Sequence, residues 1–453
     1  MKFKRKMRKL VVALLCMGLL FSTVSTVQAQ ANPSAMTPAA DLRADLDHLL
    51  SEHFVLAVMT LTTSYDETED AEDVRNALEQ NAKDMTPAIA SVYDEESAAE
   101  FERIFTEHNE YADDYAVAAK EDDQALREQA EKDVESFVEE FSTFLDSATE
   151  GNLPKEAAAE ALSVHEEQVV NTFDHYVAGD YEAAYQEFRE GYSHMYTISE
   201  ALSTAITTQM PEMFEDTKAD APAADLRSDL NSLAGEHFAL ATMGMMKGVD
   251  QAEDYDYVTW AEDENTADFK EAISSIYGEE GATQFEEVWQ SDHINAQADV
   301  VASAIEGNEA DMQDAEDRLL NGFPNELGAF LAEATEGNLP EDAAVETLNM
   351  HEQQVLDTFH AYHDGDYEMT YENFREGYQF MFGVGMTLGD AIVMQMPADF
   401  EGTMMPEEMP ETGMGGASET SGFPMMTWAL LGSMVLLASG SLLFIYRKTS
   451  NQK

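Results

Sequence analysis

The chain has 453 residues, 90 of them acidic and 24 basic, for a formal charge of −66. That charge excludes nucleic acid as a partner, because a phosphate backbone is repelled over the whole surface, while 44% hydrophobic residues and only 12 prolines exclude wholesale disorder. The single cysteine, Cys16, excludes a disulfide framework, a thiolate zinc site and a cysteine nucleophile in the mature protein.

Residues 1–29 open with basic residues from Lys2 to Lys9, continue through the apolar run Leu10 to Phe21 and close on Val27-Gln28-Ala29. That order predicts a secretory signal peptide, cut after Ala29 or Ala31, and places the rest of the chain outside the cell. Residues 40–214 and 224–400 are then an internal repeat joined by a short polar linker, 215–223. ADLRADLDHLLSEHFVLAVM returns as ADLRSDLNSLAGEHFALATM, ATEGNLP returns unchanged, and GDYEAAYQEFREGY returns as GDYEMTYENFREGY. A unit of about 175 residues is a domain rather than a solenoid repeat, so the two copies share one fold.

Within a copy the apolar period is helical throughout, with no strand-like alternation. The first helix is expected over Ala40–Thr63, with Leu42, Leu46, Leu49, His53, Leu56 and Thr60 on one stripe. A short helix follows over Ala71–Met85, and Thr86-Pro87 reads as the cap and first position of another through Tyr93. Further helices are expected over Glu95–Lys120 and Asp122–Thr149, the latter ended by Gly151 and Pro154. Leu153-Pro154 opens the helix carrying Leu162, His165, Val169 and Phe173, and Gly179-Asp180 breaks the chain before the last helix. The fold class is therefore all-α: two tandem up-and-down bundles, each of four long helices plus shorter ones.

Three histidines recur in both copies, His53/His237, His108/His293 and His165/His351, each near the middle of a different apolar stripe. The last long helix adds Met195 and Met381 at matching positions. Facing helices of a bundle build metal sites in this way, and three imidazoles with a thioether form a soft-to-borderline set suited to copper. Haem would need only one of the three histidines and no CxxCH is present, so haem and other transition metals rank behind copper. The competing reading makes these histidines hydrogen-bonded core residues and Met a gap filler. The second copy also carries one extra residue between Trp289 and His293, which in a regular helix rotates His293 by ~100°.

Other chemistry lacks its motifs. There is no HExxH, GxSxG, GxGxxG, EF-hand loop or inward Glu-x-x-His pair, and Glu166-Glu167 and Asp113-Asp114 read as solvated faces. No catalytic residue is assigned, and the chain reads as a binding protein more than an enzyme.

The chain ends in a Met/Pro/Gly-rich linker, 401–422, an apolar stretch, 423–446, long enough to span a bilayer, and a basic tail, 447–453. The linker contains Met409-Pro-Glu-Thr-Gly413. Pentapeptide, apolar span and basic tail resemble the cell-wall sorting signal of Gram-positive surface proteins. The resemblance implies a sortase that cuts between Thr412 and Gly413 and joins Thr412 to peptidoglycan, the membrane holding the apolar segment beforehand. Met409 stands where that motif has Leu, which keeps a plain single-pass anchor as the alternative. The EHF-x-LA-x-M, EGNLP and YE-x-x-Y-x-x-FREGY stretches resemble secreted helical modules of Bacillus-type bacteria labelled copper amine oxidase-like. The Asn-Tyr-Asp/Glu tripeptide of true copper amine oxidases is missing, so the resemblance implies copper but not that activity.

Together these features give an expectation: an extracellular, wall-anchored protein that binds or buffers copper or another transition metal in its bundle cores. The rival is a non-catalytic acidic spacer or adhesin with structural histidines. On either reading the acid excess suits solubility in brine, as in secreted proteins of halophiles.

Overall fold

In a computed structural model, helices account for every regular element among the described residues, 33–402, because the 3.6-residue apolar period is sustained in each segment. The signal segment, the sorting pentapeptide with Thr412 and Gly413, the apolar stretch 423–446 and the basic tail lie outside the described residues. No helix among the described residues is long and apolar enough to cross a membrane.

The first copy consists of α1 (Pro38–Asp66), α2 (Ala71–Val92), α3 (Glu95–Glu121), α4 (Gln124–Ala148), α5 (Lys155–Val177) and α6 (Tyr181–Gln209). All six are long, which corrects for this copy the expectation of four long helices with shorter companions. The difference lies at Thr86-Pro87: α2 runs through Pro87 without a break, since Met85 and Ile89 on either side pack into the same core. Local chemistry sets the other ends. Thr37 caps α1 ahead of Pro38, Asp94 caps α3 and Asp123 caps α4, each accepting a backbone N–H from the first turn. Each helix packs on its neighbours in sequence, α6 closes back onto α1, and α1 also touches α3 and α5.

The second copy repeats this with α7 (Pro222–Val249), α8 (Tyr255–Trp289), α9 (Asn295–Glu306), α10 (Glu309–Asp317), α11 (Phe323–Ala334), α12 (Glu341–His363) and α13 (Tyr367–Gln395). Gly278, at φ 77°, bends α8 where Asp94 separates α2 from α3 in the first copy. Two wide turns of π-helix, Gln290–Ile294 and Arg318–Gly322, join α8 to α9 and α10 to α11.

The two copies form one compact unit, with α1 against α7, α2 against α13 and α6 against α8. The joint between them is ordered, with a 3₁₀ turn at Pro211–Phe214 and buried Phe214, Thr217, Ala219 and Ala221. The contacts across the seam are reciprocal, as in an isologous dimer. Arg375 forks onto Glu52 (3.1 and 3.0 Å) and Arg189 onto Glu236 (3.0 and 3.3 Å). Tyr371 donates to Asp70 and Tyr185 to Asp254, while the equivalent Tyr192 and Tyr378 meet each other at 2.9 Å.

Candidate metal centre

In the first copy His53 comes from α1, His108 from α3 and His165 from α5, and all three are buried. One ring nitrogen of each lies within 4.8 Å of the others. In the second copy His237 from α7, His351 from α12 and His293 from the first π-turn meet the same condition. The extra residue before His293 does not rotate it away. A π-turn holds one more residue than an α-turn, so the insertion is absorbed where it occurs and His293 returns to the register of His108. Each triad is fixed by aromatic rings: Phe137 stacks on His108 at 4.0 Å, and its counterpart Phe323 stacks on His293 at 4.2 Å.

Met195 lines the same cavity of about 70 Å³ as His53, His108 and His165, within an otherwise apolar wall. Met381 is buried at the matching place on α13. Thr412 and Gly413 are not among the described residues.

The repeated motifs divide between this centre and the frame around it. In Glu52-His53-Phe54, Glu52 crosses to Arg375, His53 faces the triad and Phe54 fills the core. FREGY supplies the crossing Arg189 and Arg375 and the central Tyr192 and Tyr378. Its glycine is required for close approach, since a Cβ on Gly191 or Gly377 would lie 2.4 Å from Phe54 or 2.3 Å from Phe238. EGNLP is a turn: Gly151 and Gly337 sit at φ 80°, and Thr149 and Thr335 each accept the N–H of the following Leu.

The Glu166 side chain does not face solvent, which corrects the reading of Glu166-Glu167 as a solvated pair. Glu166 is buried with Oε1 3.5 Å from His108 Nε2 and 3.9 Å from His165 Nε2, and only Glu167 is exposed. Glu352 is fully buried, with Oε1 2.9 Å from His293 Nδ1 and 3.7 Å from His351 Nε2. The second centre has a further carboxylate, Glu262, whose Oε1 is 4.0 Å from His237 Nδ1. The sequence carried a signal for both. The His-Glu pair is identical in the two copies, and Glu262 takes the place of the apolar Leu78.

Burial dominates the electrostatics. It pushes His108 down to about 3 and His351 down to about 4, and holds His53, His165 and His237 well below the ordinary imidazole range, neighbouring histidines adding to the effect. Neutral imidazole is the form that offers a lone pair to a metal. Burial likewise pushes Glu166 and Glu262 up to about 8.

Both ring nitrogens of His53 and of His351 are buried without a hydrogen-bond partner, as is Nδ1 of His165. Structural core histidines satisfy these atoms, because a buried polar group left unpaired costs about 1–3 kcal/mol. Nitrogens that converge and stay unsatisfied fit a metal better than they fit a hydrogen-bond network. Comparison of the chain with family models, with curated proteins and with solved structures gives no match.

Proposed function

We propose that this is an extracellular, surface-anchored protein that binds or buffers a transition metal, copper ahead of others, in two buried histidine triads. The observation that carries the reading is the convergence of three buried imidazoles in each copy, with both ring nitrogens of His53 and of His351 left without a hydrogen-bond partner, while His237 and His293 meet each other through their Nε2 atoms at 2.9 Å. The three nitrogens, with the thioether of Met195 in the same cavity, favour copper. The basic and apolar start, the MPETG pentapeptide and the apolar stretch with its basic tail support secretion and anchoring by a sortase to peptidoglycan. The reading is of a binding protein rather than an enzyme.

The test is metal content. The full chain, purified in high salt without an immobilised-metal column, is offered Cu(I), Cu(II) and Zn(II), exchanged exhaustively into buffer and measured by elemental analysis. About two ions per chain are expected, falling to none in the His165→Ala/His351→Ala double variant while the helical circular dichroism persists. A folded wild-type chain that retains no metal sinks the proposal and leaves the acidic spacer or adhesin in its place.

A further inference from the structure

The histidine triad of the first copy has a second side. Its three rings form part of the wall of the cavity of about 70 Å³ that Met195 also lines, and all six helices of this copy contribute to that wall. Glu166 borders a separate cavity of about 30 Å³ instead.

No nitrogen or oxygen atom opens onto the larger cavity. The polar side chains around it are paired elsewhere: Tyr93 donates to Gln209 Oε1 at 3.3 Å, and Thr149 donates to the Leu145 carbonyl at 2.8 Å and accepts the N–H of Leu153 at 3.0 Å. The histidines present ring carbons to it, with both ring nitrogens of His53 and Nδ1 of His108 and of His165 buried. A water molecule there would find none of the polar partners that hold a buried water, and cavities lined in this way stay dry. A charged or hydrogen-bonding guest is disfavoured for the same reason.

Size narrows the choice further. An apolar cavity of roughly 150 Å³ admits benzene or xenon. The space here is smaller, which excludes a ring and fits a guest of about two or three heavy atoms. We propose that the cavity is a binding pocket for a nonpolar diatomic gas, dioxygen, seated against the rings of the first triad. The inference goes beyond the metal-binding reading and does not rest on it, because the wall is made of apolar atoms and not of the ring nitrogens.

The second copy shows how the pocket can be filled. Where the first copy has Ala82, Met85 and Phe105, the second has Thr266, Phe269 and Trp289. There the rings of Phe269 and Trp289 pack at 5.1 Å, and the indole N–H donates to Thr266 at 3.1 Å. Met85 and Phe105 both line the cavity of the first copy, so Ala82→Thr/Met85→Phe/Phe105→Trp places larger rings in it and gives the new indole its acceptor.

The full chain with isotope-labelled methionine methyl groups, without added metal, is equilibrated with xenon and separately with dioxygen. Xenon should shift the methyl resonances of Met85 and Met195 saturably. Dioxygen, being paramagnetic, should speed their relaxation several-fold more than that of Met245, which is buried in α7 and does not line the cavity. The triple variant should lose both effects at Met195. Leu162→Ala widens the cavity and should admit benzene, which raises the unfolding midpoint of that variant and not of the wild type. Met85 and Met195 responding no more than Met245, or Met195 responding undiminished in a folded triple variant, overturns the proposal. If the triple variant does not fold, a Leu162→Ala chain whose midpoint benzene leaves unchanged overturns it. A chain that binds the gas but retains no metal overturns the metal-binding reading alone, and the reverse result overturns this one alone.

Discussion

Asp47 is fully buried at the seam between the copies, where the second copy carries Asn231. Burial pushes its carboxyl from 3.8 up to about 6, against the opposing pull of Ser199 from α6, Arg43 on its own helix, and Ser228 and Asn231 from α7. The folded state thus binds this proton more tightly than the unfolded chain does. The contribution to stability is fully present below 3.8 and is lost as pH rises through about 6. Lowering the pH from about 7.5 to about 4 should stabilise the wild type by about 1–3 kcal/mol relative to Asp47→Asn. Denaturant unfolding of both at constant high salt measures the difference, and parallel pH profiles would refute it. At this scale the convergent histidines were legible because they break apolar stripes at matched positions in the two copies. Glu166 was not, because an acid beside an acid on an amphipathic helix reads as its wet face. Only the packing of α3 and α5 on α1, which brings Glu166 beside His108, turns it inward.

Helix periods carried through to the structure with little loss, because a sustained apolar stripe leaves few alternatives. The departures fall where tertiary contacts outweigh local signals. Pro87 is a strong breaker in isolation, yet α2 continues through it with Met85 and Ile89 anchored in the core. The extra residue between Trp289 and His293 was legible in the alignment of the repeats, but its outcome was not, and a second one falls between Leu319 and Phe323, where the first copy has Val134 and Phe137. Each coincides with a π-turn, so the helix widens locally and keeps its register beyond. This predicts that the first insertion is dispensable. Deleting Ser291 should convert the turn to α-helix, like the segment from Phe105 to His108, and change stability by under about 1 kcal/mol. The second centre should still retain its ion. A deletion variant that folds but no longer holds metal there would show that the wide turn itself shapes the site.

For the molecule as a whole, the sequence shows two copies but not that they interlock. α1 is buried almost all round, including Arg43, Asp47, Ser51 and Glu52, a face that reads as polar and solvated when one copy is considered alone. Its covering is the other copy, and the recognition is polar. Arg43, Arg189, Arg227 and Arg375, four of the eight arginines among the described residues, cross the seam to acids. These pairs differ from the surface in how they respond to salt. The surface of a chain with a net charge of −66 repels itself over a screening length of roughly 10 Å at 0.1 M salt and roughly 3 Å at 1 M. The Arg375–Glu52 pair is instead shielded from solvent, with Glu52 fully buried, and removing the arginine leaves that carboxylate without its countercharge. Wild-type stability should therefore climb as salt is raised from about 0.1 to about 2 M. Arg375→Ala should follow a parallel curve displaced downward by about 3–5 kcal/mol at every salt concentration. Unfolding midpoints across a salt series measure both. Convergence of the two curves at high salt would mean that the seam is held by screened surface attraction and not by buried, reciprocal pairing.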